Sequence, residues 1–200
     1  MKKIILGLVA IAALSTGAFA AGSGESLEDK QSQSSTGSPR NTKTCDGAMF
    51  VVTAGNAIEG AVRSGSPSEV SATAAQFLDL PSISFAALGR YRKQLPKSKE
   101  AEYIALTRDF LARFVIDHAS RFHIAEITIV NCSELPSGVT VNAKLANGQK
   151  AVARLLKTDS LYRIVDINLE SIWLVQQMRS AFVGTIRRDG IDALFKFLKS

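Results

Sequence analysis

The stretch VTVNAKLANGQKAVARLL, residues 139–156, is the clearest structural signal in this 200-residue chain. Its first half alternates between apolar and polar side chains, as half-buried strands do, with the apolar positions at Val139, Val141, Ala143 and Leu145. The Asn-Gly pair at 147–148 then favours a hairpin turn. A two-residue turn would place Val141 opposite Arg154, whereas a three-residue loop with a left-handed glycine would place it opposite Leu155. We favour the second register because it gives one continuous buried face.

Strand periodicity is confined to one part of the chain, and helical periodicity lies on both sides of it. Four strands are predicted, over residues 124–132, 139–145, 150–156 and 161–168. Helices are predicted before them over 46–63, 66–78, a short segment ending at 88, and 96–122, and after them over 172–188 and 190–199. This order predicts an α+β domain in which several helices pack over one face of a four-stranded antiparallel sheet.

The N-terminal residues 1–20, MKKIILGLVAIAALSTGAFA, have the pattern of a cleavable signal peptide. Two lysines precede an apolar run that is shorter than the roughly 20 residues of a membrane-spanning helix, and an A-x-A cleavage site follows. We therefore expect export, with an uncleaved membrane anchor as the alternative. Residues 21–44 contain one large apolar side chain, Leu27, and are expected to be a disordered linker. The folded domain is then predicted over 45–200.

Cys45 and Cys132 are the only cysteines of the chain. An oxidising compartment would allow them to form a disulfide between the start of the first helix and a strand, and two free buried thiols are the alternative. We expect no metal site, because the chain has only two histidines, His118 and His123, and neither has a partner at ligand spacing.

Catalytic motifs are not evident, and basic residues are the more suggestive feature. The chain has no nucleophile elbow, phosphate-binding loop or zinc-protease motif, so we predict no catalytic residues. Loss of the two leader lysines lowers the formal charge from +6 to +4, which is weak for a nucleic-acid-binding protein. The basic run that includes Arg90 and Arg92 is either a solvated face or a patch for an anionic headgroup, membrane surface or acidic partner.

Two segments resemble the MlaC family of periplasmic phospholipid-binding proteins, also called the toluene-tolerance family. The first is FAALGRYRKQL at 85–95, with its Leu-Gly-Arg-Tyr element, followed by a phenylalanine-containing helix at 100–115. The second is YRIVDINLESIWLVQQMRSAFVGTIRRDGIDALFKFL at 162–198, which contains an Arg-Ser-x-Phe element. The resemblance extends over about 47–198. Trp173 departs from the family pattern and could reshape a pocket.

The resemblance implies an NTF2-like sheet whose helices enclose an apolar lipid cavity, and a soluble carrier rather than an enzyme. No cofactor is implied, because the bound lipid is the cargo. The implied partners are phospholipid, an inner-membrane ABC transporter complex with its periplasmic lipid-binding subunit, and an outer-membrane lipoprotein–porin complex. A carrier of hopanoids or other polycyclic lipids is the alternative within the family. An enzyme on the same scaffold and a ligand-free interaction module are alternatives from other classes.

Large apolar residues on inward faces are the candidates for lining such a cavity. They are Phe85, Leu88, Phe110, Phe114, Val141, Leu155, Ile167, Ile172, Val175 and Met178. Each of them could instead belong to an ordinary core. Arg90 and Arg92 are the candidates for contacting the headgroup or docking to a partner.

Overall fold

The computed structural model describes residues 40–42, 45–119, 126–159 and 161–200. The predicted signal peptide and most of the predicted linker lie outside the described residues. Within the described part, no helix combines the length and the apolar character needed to cross a membrane.

Six α-helices are present in the described residues. They are α1 (Asp46–Arg63), α2 (Pro67–Phe77), α3 (Leu80–Leu88), α4 (Glu100–His118), α5 (Leu174–Asp189) and α6 (Ile191–Lys199). Side-chain caps start two of them, since Ser66 Oγ accepts from the Glu69 amide and Asp79 Oδ1 accepts from the Ser82 amide. The helix predicted from residue 96 begins later than expected because Lys97–Lys99 form a 3₁₀ turn.

Within the described ranges the sheet has six strands in the order β1 to β6, and every neighbouring pair is antiparallel. The strands are β1 (Arg40–Thr42), β2 (Thr128–Leu135), β3 (Gly138–Lys144), β4 (Lys150–Thr158), β5 (Leu161–Leu169) and β6 (Ile172–Trp173). The α+β class and the antiparallel sheet are confirmed, but the predicted count of four strands is too low.

The two additional strands lie at the edges of the sheet and are too short to show an alternating pattern. β1 falls within the predicted disordered linker, yet its backbone pairs with β2 from Cys132 to Glu134. β6 follows a tight turn in which Glu170 and Ser171 both have positive φ, and it pairs with the end of β5. Pairing with β2 thus orders a segment whose composition does not predict order, and the helix predicted from residue 172 begins at Leu174 because Ile172 and Trp173 pair with β5.

The β3–β4 hairpin has the predicted loop length but a different register. Gly148 is left-handed with φ 82°, and the Leu145 amide donates to the Gln149 carbonyl at 2.9 Å, which closes a three-residue loop. Because this loop begins one residue earlier than expected, Val141 pairs with Ala153, and its predicted pairing with Leu155 is wrong. The shift is two residues, so Val141 and Leu155 still face the same buried side.

Helix α1 packs on the inner face of the sheet and forms with it an apolar cluster that we call the sheet cluster. Its buried members are Ala48, Val51, Ala54, Cys132, Val139, Val141, Ala153, Leu155, Tyr162 and Ile164. A disulfide joins Cys45, the residue before α1, to Cys132 in β2, with their Cα atoms 6.2 Å apart. Gly47 allows the close approach, since a Cβ there would lie 3.0 Å from side-chain atoms of both Val139 and Leu155.

Helices α3, α4, α5 and α6 surround a second apolar cluster, which we call the helical cluster. Its buried members are Leu80, Ile83, Ala87, Leu88, Leu95, Tyr103, Leu111, Val175, Met178, Phe182, Ile186, Leu194, Phe195 and Leu198. Phe182 is at its centre, with edge-on contacts to Tyr103, Phe110 and Phe197 at ring-centroid distances of 5.6–6.4 Å. A third, smaller cluster of Ala61, Val70 and Ala112 joins α1, α2 and α4.

Candidate functional site

The sheet cluster and the helical cluster meet at the junction between α2 and α3. The side chain of Leu78 packs against both clusters. The next residue, Asp79, donates its amide to the Ile164 carbonyl of β5 at 2.8 Å. A second polar link is made by Asp166 of β5, whose Oδ1 accepts from the Val175 amide in the first turn of α5 at 3.1 Å. The apolar interior thus has two halves. Helix α1 and the sheet form one half, and helices α3 to α6 form the other.

The ten candidate lining residues are divided between these halves. Leu88, Val175 and Met178 are buried members of the helical cluster, and Phe85 and Phe110 pack against it. The sheet cluster contains the other aliphatic candidates of the sheet, which are Val141, Leu155 and Ile167. The structure therefore brings eight of the ten into the interior, in two groups rather than one.

The other two candidates lie at the margins. The Phe114 ring stacks on His118 at a centroid distance of 4.3 Å. Ile172 lies in the two-residue edge strand β6 and is 50% exposed, although its pairing with Leu169 puts it on the same face of the sheet as Ala151. The neighbouring Trp173 lies 3.9 Å from the guanidinium of Arg154, which is exposed on the face of β4 opposite Ala153 and Leu155. Trp173 is therefore not placed to reshape the interior.

An open pocket of about 350 Å³ lies between the end of α3 and the middle of α5. We call it the arginine pocket, and its lining residues are Gly89, Arg90, Arg179, Ser180 and Val183. Its volume is at the lower end of the roughly 300–1,000 Å³ of small-molecule sites. A pocket of this size is too small for a whole diacyl lipid.

Arg179 joins the two walls of the arginine pocket. Its Nε and Nη2 donate to the Ala86 carbonyl near the end of α3, at 3.0 and 2.7 Å. Gly89, with φ 54°, ends α3 and lets the chain turn so that Arg90 reaches the same pocket. Sequence reasoning missed Arg179 as a site residue because its partner lies 93 positions away, although the Arg-Ser-x-Phe element was evident.

Arg90 and Arg92 have different surroundings, although both are exposed. Arg90 lines the pocket and donates from Nη2 to the Tyr91 hydroxyl at 3.3 Å. The guanidinium of Arg92 instead covers the ring of Phe85, with Cζ 4.1 Å from the ring centroid. Of the two predicted headgroup residues, only Arg90 is thus part of the arginine pocket.

The charge of the arginine pocket is not neutralised by neighbouring carboxylates. The described part of the chain contains five ion pairs, and none of them involves Arg90, Arg92 or Arg179. The same part of the chain holds no group of three metal-ligating side chains. The chemistry that the pocket offers is therefore hydrogen-bond donation to an anion.

The one strongly perturbed phenol lies away from this pocket. Burial raises the pKa of Tyr103, whose hydroxyl donates to the Ser84 carbonyl at 2.8 Å inside the helical cluster. Its ring is fully buried and packs edge-on against Phe182. We assign Tyr103 to the packing of the helical layer.

Comparison with protein families identifies the fold. The sequence model of the MlaC protein family matches residues 43–200. The chain belongs to the MlaC family. This match confirms the resemblance seen in the sequence, and it extends over both apolar clusters and the arginine pocket of this MlaC-family protein.

A solved structure of the phospholipid-binding protein from Ralstonia solanacearum, in complex with a phospholipid, is similar to this MlaC-family chain. The TM-score is 0.61 at 19% sequence identity, and the match covers 76% of this chain and 93% of that one. At this identity the likeness shows the fold alone. No curated protein sequence matches the chain significantly.

Proposed function

We propose that this MlaC-family protein is a soluble periplasmic carrier that encloses the acyl chains of a phospholipid between its sheet and its helices. The division of the apolar interior into a sheet cluster and a helical cluster supports this proposal most directly. Acyl chains that enter between the two halves leave the packing and hydrogen bonds of each half in place. The fold is shared with a protein that was solved with a phospholipid bound.

The proposed lining comes from both halves. Val141, Leu155 and Ile167 form the wall on the sheet side, and Phe85, Leu88, Phe110, Val175 and Met178 form the wall on the helical side. Phe114 and Ile172 would contact lipid only at the edges of the cavity. Each methylene group of an acyl chain that is kept out of water in the cavity contributes about 0.8 kcal/mol relative to its exposure. Met178 suits variable acyl chains because its thioether side chain is flexible.

The cellular role that we propose is transfer without catalysis. The carrier would exchange lipid with an inner-membrane ABC transporter complex, through its periplasmic lipid-binding subunit, and with an outer-membrane lipoprotein–porin complex. The predicted signal peptide supports a periplasmic location. The exposed basic residues around Arg90 and Arg92 support docking to anionic surfaces.

Native mass spectrometry of protein purified from periplasm without detergent tests the carrier. We expect a bound species of phospholipid mass, identified by lipid analysis after release. A hopanoid mass would overturn the phospholipid assignment while keeping a carrier. A ligand-free mass, with no uptake from anionic liposomes, would overturn the carrier itself.

A pair of matched variants tests where the acyl chains lie. Ile167→Asp places a carboxylate on the inner face of the sheet, and Val152→Asp places the same charge on the outer face of the neighbouring strand. We expect Ile167→Asp to lose bound lipid and Val152→Asp to keep it. Circular dichroism verifies that both fold, and Ile167→Trp, which fills the same space without charge, replaces the aspartate if it unfolds the protein. Equal lipid retention in the inner-face and outer-face variants would place the acyl chains elsewhere.

A further inference from the structure

We propose that the arginine pocket binds a phosphate ester group, held by the guanidinium groups of Arg90 and Arg179. The inference rests on the proposed function, in that the phosphate would be that of the bound lipid. It adds a specific anion site to a carrier whose cavity otherwise recognises only apolar chains.

The orientation of Arg179 is fixed before any ligand arrives. Two of its five N–H donors are held by the Ala86 carbonyl, and no described residue accepts a hydrogen bond from Nη1. A Cβ at Gly89 would lie 3.5 Å from Arg179 Nε, so the turn after α3 packs directly against this side chain. A guanidinium held in this way loses little conformational freedom when it binds an anion.

The second guanidinium comes from the other wall of the same pocket. Arg90 lies immediately after the glycine turn, and neither arginine has a carboxylate partner among the described residues. Two arginines without carboxylate partners that line one pocket can together bind a phosphate group, which accepts several charge-assisted hydrogen bonds at once. Ser180 adds a hydroxyl group to the lining, which can donate to the anion if it leaves the Gln176 carbonyl.

The floor of the arginine pocket points to a lipid as the source of the phosphate. Gly89 and Val183 line the pocket, and their chain neighbours Leu88 and Phe182 are fully buried in the helical cluster. A phosphate bound by the arginines would thus lie one residue along the chain from two buried members of the helical cluster, which forms one wall of the proposed cavity. A free phosphate ion would use the arginines but gain nothing from this floor.

A competition between two lipids that differ only in the phosphate headgroup tests the site. The full-length exported protein is incubated with vesicles that contain equal amounts of phosphatidylglycerol and diacylglycerol with identical acyl chains. The protein is re-isolated, and the ratio of the two bound lipids is measured by mass spectrometry. We expect the wild type to prefer phosphatidylglycerol by at least tenfold, as charge-assisted hydrogen bonds supply.

Charge-removing variants assign that preference to residues. Arg90→Gln should bring the ratio close to one, whereas Arg187→Gln, an equal charge change on the exposed face of α5, should leave it unchanged. Arg179→Gln is a second test. Because Arg179 also holds the end of α3, its lipid ratio is interpreted only if circular dichroism shows that the variant folds. An equal effect of Arg187→Gln would overturn the site in favour of a general electrostatic effect.

The remaining outcomes separate the pocket from the carrier. If the wild type takes up both lipids equally, the phosphate site is overturned and the carrier stands. If it takes up neither, the proposed function itself fails. Titration with inorganic phosphate distinguishes the source of the anion. The wild type could bind inorganic phosphate, lose this binding in Arg90→Gln, and still take up the two lipids equally. That combination would show that the pocket binds free phosphate and would overturn the lipid headgroup as its ligand.

Discussion

The disulfide between Cys45 and Cys132 should supply a large part of the stability of the domain. The two residues are 87 positions apart, and closing a loop of this length removes enough entropy from the unfolded chain to stabilise the protein by about 4.6 kcal/mol. Because Cys132 is fully buried in the sheet cluster, replacing its sulfur with a hydrogen also removes packing worth about 1 kcal/mol. Single domains are stable by about 5–15 kcal/mol, so the combined loss approaches the total of a weak domain.

The two contributions are separated by comparing three forms of the protein in urea unfolding at pH 7, followed by circular dichroism. Oxidised wild type is the reference, reduced wild type loses the cross-link alone, and Cys45→Ala/Cys132→Ala loses the cross-link and the buried sulfur. We expect reduction to lower the free energy of unfolding by 3–5 kcal/mol, and the double variant to be about 1 kcal/mol lower again. Thiol titration of the denatured wild type should find no free cysteine. A loss below about 1 kcal/mol on reduction would refute the loop-entropy reasoning.

Three further substitutions have predictable effects on the free energy of unfolding, measured with urea. Tyr103→Phe removes the hydroxyl group that donates to Ser84 and should lower stability by about 1 kcal/mol at pH 7. The pKa of Tyr103 is raised in the folded state, so its phenol contributes its full stabilisation only below pH ~10. Above that pH the free energy of unfolding of the wild type falls by about 1.4 kcal/mol per pH unit relative to the phenylalanine variant. The phenylalanine variant should therefore become the more stable of the two near pH 11. Gly138→Ala should lose more than about 2 kcal/mol, since its Cβ would lie 2.3 Å from the Leu155 carbonyl oxygen. Gly148→Ala, with a positive φ but open space, should lose only about 1–2 kcal/mol, and equal losses would contradict the steric argument.

The hairpin shows which part of the fold the sequence predicts and which part it does not. Alternation identifies β3 and the face that it buries, because burying one face of a strand requires a period of two. The register depends on whether the three-residue loop begins at Ala146 or at Asn147, and both loops leave Val141 on the buried face. The hydrophobic pattern therefore cannot distinguish the two registers, and turn hydrogen bonds decide the outcome.

The arginine pocket was less predictable than the fold for a different physical reason. The exposed basic run marks Arg90 and Arg92 equally. Each guanidinium lies over an aromatic ring, that of Arg90 over Tyr91 and that of Arg92 over Phe85, but of the two only Arg90 also lines the pocket. The second arginine of the pocket comes from α5, and its orientation depends on the Ala86 carbonyl of a helix far away in sequence. No periodicity in either segment carries that information, because the contact exists only after the helices pack.

In the carrier that we propose, the separation of the interior into two clusters would allow the cavity to open without unfolding. The sheet half is held by backbone ladders and by the Cys45–Cys132 bond. The helical half has its own aromatic centre around Phe182 and meets β5 through the Asp79 amide and the Asp166 carboxylate. During lipid entry, apolar contacts between the two halves would be replaced by contacts with acyl chains. The two kinds of contact are similar in free energy per unit of buried apolar area. Each half keeps its internal hydrogen bonds during this exchange.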